Sequence, residues 1–358
     1  MEQKEIKCIV WDLDHTIWDG ILAEADDVQV KPGIFEIIKT LDERGILHSI
    51  ASKNDHDMAM AKLQEFGLEQ YFLYPEIHWN AKSFSIDQIQ RNINIGMDSI
   101  LFIDDQEFEL EEVKNEHPEV NCLNSKDYLN LLDEPRLNPR FITIDSARRR
   151  KMYQDDYKRK EAEKDYQGPS EEFLASLNMK FTISTAQEED LKRAEELTIR
   201  TNQLNATGRS FSYEELDYIR QSDEYKLLVC ELEDRYGSYG KIGLALLHLK
   251  EGEWLLEMLL MSCRVVSRGV GTVLLSYILN EAKNNGKALL ANFKDTGRNR
   301  MMFVSFRFSG FKEKHSDEEG NYVLEHDLQS IQEIPEYIEL YDQTKSFMNR
   351  GEMSELSQ

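Results

Sequence analysis

Cysteine is scarce in this 358-residue sequence, and its four copies, Cys8, Cys122, Cys230 and Cys263, never fall into C-x-x-C spacing. A zinc cluster or disulfide framework is thereby excluded as the organising device, and free thiols in a reducing compartment are expected. Long apolar runs are missing too. Nothing nears the ~20 residues that a membrane-spanning helix needs, and no basic, apolar leader precedes Ile6, so a cytoplasmic protein without a membrane partner is expected. Positive charge is in short supply: 43 Lys and Arg stand against 67 Asp and Glu, a formal net charge of −24, which argues against nucleic acid as a partner. No internal repeat is visible, and the length exceeds one typical domain, so two are expected.

What is present begins with a strand pattern. Residues 6–13 are apolar and β-prone and stop at a run of carboxylates, as a buried parallel strand does. A helix is predicted over 32–44, opened by Pro32, striped by Ile34, Ile37, Ile38 and Leu41, and closed by Gly45. A strand at 46–51, helices at 55–66 and 83–94, and a strand at 100–103 follow, the last running into Asp104 and Asp105. This alternation makes an α/β, doubly wound, mainly parallel sheet with its ligand site beyond the strands' carboxyl ends. Residues 1–135 form this first domain. Residues 136–177 read as a helical linker containing the basic run Arg148 to Lys151, residues 178–328 as a second α/β domain, and residues 329–358 as a polar, helical or frayed tail. In the second domain a helix is expected behind a capping box of Thr185 and Glu188, with strands at 225–232, 241–249 and 253–262, a helix at 270–285, and a last helix at 299–311.

The chemistry sits at the first domain's strand ends. Asp12 and Asp14, two residues apart, suit a nucleophile and a neighbouring acid/base for phosphoryl transfer. Two anions facing a phosphate need a hard cation between them, so Mg²⁺ held by oxygen ligands is expected, with Asp104 and Asp105 completing the set. Ser52 and Thr16 supply hydroxyls for phosphate, and Lys82 a positive charge. Between Gly20 and Pro32 there is room only for a short loop, and between Lys53 and Lys82 only for a helix and a strand of the core. The site therefore lacks a cap domain, which favours a large substrate or a partner that covers the site.

The ordered set D-x-D-x-T, Ser, Lys and Asp-Asp resembles the four motifs of the haloacid dehalogenase superfamily. The stretches WDLDHTIWDG (11–20), IDDQEFELEEV (103–113), NQLNATGRS (202–210), GSYG (237–240) and MSCRVVSRGV (261–270) resemble more narrowly the FkbH family, in which such a domain is fused to one similar to the GCN5-related N-acetyltransferases. The resemblance covers roughly residues 5–325. It implies a capless haloacid dehalogenase-like domain followed by an acetyltransferase-like α/β domain. It also implies an aspartyl-phosphate on Asp12, acid/base work by Asp14, and Mg²⁺ held by Asp12, the Asp14 carbonyl and Asp104. The reaction it implies is glyceryl transfer from 1,3-bisphosphoglycerate, or a similar phosphorylated small molecule, to the phosphopantetheine of a holo-acyl carrier protein serving polyketide and related pathways.

Cys263, at the end of the 253–262 strand, is the candidate acyl-carrying thiol. Arg264, Arg268 and the helix N-terminus near Gly269 stand ready to favour its thiolate. Gly269 and Gly271 keep the glycines that cradle a pyrophosphate, but Val266 stands where an Arg or Gln normally starts that motif, which leaves room for a carrier-bound pantetheine. Asn202, Asn205 and Arg209 are candidate substrate contacts, equally consistent with a solvated loop. The competing readings are a plain phosphatase whose second domain only recognises substrate or carrier, and a non-catalytic assembly factor.

Overall fold

The computed structural model describes residues 5–24 and 27–344. The chain divides between Tyr157 and Lys158 into two compact units. In the first, β1 (Cys8–Trp11), β2 (Trp18–Asp19), β3 (Gln29–Val30), α1 (Ile34–Glu43), β4 (Leu47–Ser52), α2 (His56–Glu65), β5 (Glu76–Ile77), α3 (Lys82–Ile93), β6 (Ile100–Asp104), α4 (Glu107–Glu116) and β7 (Asn121–Asn124) follow in order. Five of these strands form a parallel sheet in the order β5-β4-β1-β6-β7. Strand β1 is buried along its whole length, as its unbroken apolar run requires. One apolar cluster, with Ile37, Ile38, Leu41 and Leu63, covers one face, and another, with Ile86, Ile89, Leu110 and Val113, covers the other. Among the described residues between Trp18 and Val30, the two-residue pairing of β2 with β3 stands where a cap would be inserted.

Helices α5 (Ile144–Ala147) and α6 (Arg149–Asp165) come next. The basic run of this linker is largely spent inside the first unit. The Arg149 guanidinium donates to the Gly45 carbonyl at 2.6 Å, Arg150 pairs with Asp42 at 2.8 Å, and Lys151 pairs with Asp155 at 3.1 Å.

The second unit holds α7 (Ser170–Ser176), β8 (Met179–Thr185), α8 (Leu191–Arg200), α9 (Tyr213–Gln221), β9 (Tyr225–Asp234), β10 (Gly237–Leu249), β11 (Glu253–Met261), α10 (Val270–Asn284), β12 (Ala288–Lys294), α11 (Arg300–Phe308), β13 (Lys312–Ser316), β14 (Asn321–His326) and β15 (Ile338–Asp342). Its eight strands lie in the order β13-β14-β12-β11-β10-β9-β8-β15, antiparallel except at β11/β12 and β8/β15. Both units are α/β, with helices set between the strands in sequence.

Two expectations need correction. Thr185 does not open a helix; it stays in β8, paired with Leu228, and the capping box forms two residues later between Gln187 and Asp190. Residues 338–342 are not a helical or frayed tail but a strand parallel to β8, with Ile338 facing Met179. The end of that tail, 345–358, lies outside the described residues.

Candidate active site

The carboxyl end of the parallel sheet brings the first four motif elements together. The Lys82 ammonium, at the first turn of α3, donates to Asp12 Oδ1, to Asp104 Oδ2 at 3.0 Å and to the Ala51 carbonyl at 2.7 Å. All three charged groups are buried, Asp12 at 6% exposure, Lys82 at 3% and Asp104 at 1%. Burial disfavours the Lys82 cation, but the Asp12 and Asp104 charges hold it above its usual pKa. Burial, and then the Asp12 charge, raises the Asp104 carboxyl to about 7. The same two causes, in the same order, raise Asp105.

One ammonium does not balance this many carboxylates. One oxygen from each of Asp12, Asp104 and Asp105 lies within 4.8 Å of the others, and Asp105 Oδ1 is buried without a hydrogen-bond partner. An all-oxygen donor set with surplus negative charge and an orphaned carboxylate oxygen fits a hard divalent cation such as Mg²⁺. Asp14 is expected to offer its carbonyl to the metal, and its side chain lies outside this cluster with its oxygens committed elsewhere. Oδ1 accepts from the Trp18 indole at 2.7 Å and the Leu22 N–H at 3.1 Å, and Oδ2 accepts from Asn54 at 3.1 Å. Those donors hold the carboxylate beside the nucleophile's loop, as an acid/base group must be held.

Ser52 ends β4 and is 3% exposed; Thr16 is fully buried and its hydroxyl has no partner. The turn between Asp12 and Thr16 is strained: His15 has φ 54°, and its carbonyl accepts from Lys31 and, at 3.3 Å, from Ser125. Sequence reasoning passed over Asn54 and the Lys53–Glu109 pair, which joins the loop after β4 to the first turn of α4 at 2.6 Å. The only local signal was their closeness to Ser52 and to Asp105.

In the second unit, Cys263 is half-buried at the start of a 3₁₀ turn, Cys263–Arg268, that separates β11 from α10. Arg264 donates to the Tyr239 carbonyl at 2.9 Å, and Arg268, 2% exposed, pairs with Glu163 at 3.2 Å. Gly269 caps α10 with φ 77°, a conformation that glycine takes without strain, and a Cβ there would meet the Tyr337 hydroxyl at 2.8 Å. Strands β11 and β12 pair only from Glu253 to Leu256. Beyond that the chain's own segment 204–206 lies between them: the Ala206 N–H donates to Leu259, the Met261 N–H to Leu204 and the Lys294 N–H to Ala206, each at 2.9 Å.

Asn205 is therefore scaffolding. It is fully buried, its carbonyl oxygen accepts from the N–H groups of Thr207 and Gly208, and its amide donates to the Arg209 carbonyl. Arg209 is exposed, paired with Glu215 at 3.3 Å and stacked over Phe211, and Asn202 is exposed. These three do not converge on one pocket. Gly269 and Gly271 do, lining with Leu259, Met261, Val266 and Met301 an apolar pocket of about 340 Å³. Cys8 and Cys230 are fully buried in strands, as expected of core thiols, and burial raises the pKa of both. Burial pushes Cys122 up to about 11. Among the described residues no helix is long and apolar enough to cross a membrane.

Comparison with known proteins gives a family match for part of the chain: residues 16–119 match the haloacid dehalogenase-like hydrolases. Human Magnesium-dependent phosphatase 1 is 26% identical over 144 residues, which are 35% of this chain and 81% of that protein. The crystallised N-terminal part of BF1531 from Bacteroides fragilis, containing a phosphatase domain complexed with Mg, is 30% identical with a TM-score of 0.34; the match covers 38% of this chain and 40% of that one. The ribosomal-protein-S18-alanine N-acetyltransferase of Escherichia coli is 18% identical with a TM-score of 0.33, over 43% of this chain and 97% of that one. The N-terminal part of this chain thus carries the haloacid dehalogenase-like hydrolase match.

Proposed function

We propose that the first unit is a Mg²⁺-dependent phosphomonoesterase and that the second transfers the acyl group of the same substrate, a glyceryl unit from 1,3-bisphosphoglycerate, to an acyl carrier protein. The observation that carries the phosphatase half is the triad of Asp12, Asp104 and Asp105 gathered around Lys82. Asp12 attacks phosphorus and the ester P–O bond breaks. Asp14 gives its proton to the departing oxygen and then takes one from the water that hydrolyses the aspartyl-phosphate. Bound Mg²⁺ would offset the charge gathered between Asp12, Asp104 and the phosphoryl oxygens. Lys82 holds Asp12 in place and balances the transferring group; Thr16 and Ser52 donate to phosphate.

Chemistry orders the two halves. Hydrolysis of the acyl phosphate would discard the activation that transfer needs. A thiol therefore attacks the acyl carbon and inorganic phosphate leaves, while Asp12 acts on the phosphomonoester at the other end. Cys263, half-buried at the end of β11 and two residues before the pocket-lining Val265, is the thiol we assign to that step. A second reading is a phosphatase whose second unit only recognises substrate or carrier. It is favoured by the engagement of Arg264 with the Tyr239 carbonyl and of Arg268 with Glu163, which gives both guanidinium groups a structural role.

Intact mass spectrometry separates the two. The protein is incubated with Mg²⁺ and 1,3-bisphosphoglycerate, with and without holo-acyl carrier protein. A glyceryl-sized adduct lost in Cys263→Ala and passed to the carrier supports transfer; phosphate release with no adduct on either protein leaves the phosphatase.

A further inference from the structure

A carboxylate offers two lone-pair positions on each of its oxygens, and the neighbours of Asp14 occupy them unevenly. Oδ1 accepts two hydrogen bonds, from the Trp18 indole N–H at 2.7 Å and from the Leu22 N–H at 3.1 Å. Oδ2 accepts one, from the Asn54 amide at 3.1 Å. Among the described residues no fourth donor reaches this carboxylate, so the one open lone pair lies on Oδ2. A proton placed on Oδ1 would meet an N–H already pointing there. The proton that Asp14 carries therefore belongs to Oδ2.

Trp18 is the firmest of the three donors. It is fully buried, its backbone N–H donates to the Leu13 carbonyl at 3.3 Å, and it pairs with Val30 across β2 and β3. Its ring packs against Phe66 with centroids 6.2 Å apart. The indole therefore has no room to turn, and its N–H has no acceptor but Asp14 among the described residues. The unit's other fully buried indole, that of Trp11, gives its N–H to the ring of His48 in the core at 3.1 Å. A buried tryptophan in this unit can thus be satisfied away from the site; Trp18 is satisfied by the group that moves a proton.

We propose, on the phosphomonoesterase reading above, that Trp18 is a positioning residue which, with the Leu22 N–H, confines the Asp14 proton to Oδ2 and so fits the site to phosphate esters of alcohols. An alkoxide is a poor leaving group unless it is protonated as it departs; an acyl or nitrophenyl leaving group is a stable anion and needs no such help. In the first step Asp12 bonds to phosphorus, the ester P–O bond breaks, and the departing oxygen takes the proton from Oδ2, which leaves Asp14 a carboxylate with its three donors in place. In the second, water attacks phosphorus, its proton returns to Oδ2, the aspartyl-phosphate bond breaks and inorganic phosphate leaves. A positioned proton of this kind is worth about 10²–10⁴-fold in rate.

The test compares kcat/KM of the intact protein with Mg²⁺ on glycerol 2-phosphate, which releases an alcohol, and on 2,4-dinitrophenyl phosphate, which releases a stabilised phenolate. This constant covers the steps up to the aspartyl-phosphate, in which Asp14 acts as an acid. Trp18→Phe and Trp18→Met keep an apolar side chain and remove the N–H. In both, the ratio of the dinitrophenyl to the glycerol ester is expected to rise about tenfold over wild type. Each ratio is taken within one preparation, so an unfolded fraction cancels. A ratio equal to that of wild type in both variants overturns the role of Trp18, even where both rates fall. If wild type turns over neither ester, the phosphomonoesterase reading itself fails and Trp18 loses its role with it.

Discussion

Replacing Asp104 with Asn removes one titrating group from the carboxylate cluster and leaves its shape. In the metal-free protein, burial and the neighbouring Asp12 charge raise Asp104 from 3.8 to about 7, so the folded state holds this proton more tightly than the unfolded chain does. The Asp104 contribution to stability is therefore fully present below about pH 4 and is lost as pH rises through about 7. A shift of ~3 units at about 1.36 kcal/mol each caps it at about 4 kcal/mol, and about 2–3 kcal/mol of that is lost between pH 5 and pH 8. Trp11, Trp18 and Trp79 lie in the first unit and Trp254 in the second, so urea unfolding followed by tryptophan emission weights the first. In chelator, wild type should lose about 2–3 kcal/mol more than Asp104→Asn between those pH values, because an amide does not titrate. Millimolar Mg²⁺ should return most of that loss to wild type alone, since a ligand bound only by the folded state stabilises it. Equal pH slopes for the two proteins would refute the reasoning, as would a Mg²⁺ gain undiminished in the variant.

Lys82→Ala leaves Asp12 and Asp104 without their common cation and should lower kcat on p-nitrophenyl phosphate about 100- to 1000-fold, measured at saturating Mg²⁺. Asn54→Ala releases one oxygen of Asp14 and should cost about tenfold in kcat with KM nearly unchanged, read from steady-state kinetics. In the second unit Asp234 accepts two hydrogen bonds from the fully buried Arg159, at 2.7 and 2.9 Å; Asp234→Ala leaves that buried guanidinium without its carboxylate and should cost about 3–5 kcal/mol, measured as unfolding followed through Trp254.

The first unit was legible because its signals are local. An apolar run that stops at Asp12, another that stops at Ser52 and a third that stops at Asp104 each announce a strand and the functional group at its end, and the parallel sheet brings the three ends together. Asn54 was not legible. A loop asparagine reads as a turn residue, and its bond to Asp14 depends on the register of β4 beside β1, which joins residues 40 positions apart. The second unit's surprises share that origin. Asn205 looked like a polar contact because nothing nearby in sequence reveals that Leu259, Met261 and Lys294 would clamp its loop between two strands. Residues 338–342 looked like tail because a single amphipathic pentapeptide becomes a strand only when the margin of β8 is there to receive it.

That last strand changes how the molecule meets its own copies. The eight-stranded sheet has two margins. One is β13, Lys312–Ser316, exposed along its length and carrying Lys312, Glu313 and Lys314. The other is β15, which carries Glu339 and Asp342 and covers β8, a strand that buries Met179, Phe181 and Ile183 in alternation and has the makings of a template for intermolecular pairing. Charged residues along an outermost strand discourage edge-to-edge growth. The C-terminal region thus acts as a selvage: it finishes the weave, and a chain cut short before Ile338 would carry an open hem along which sheets join into aggregates.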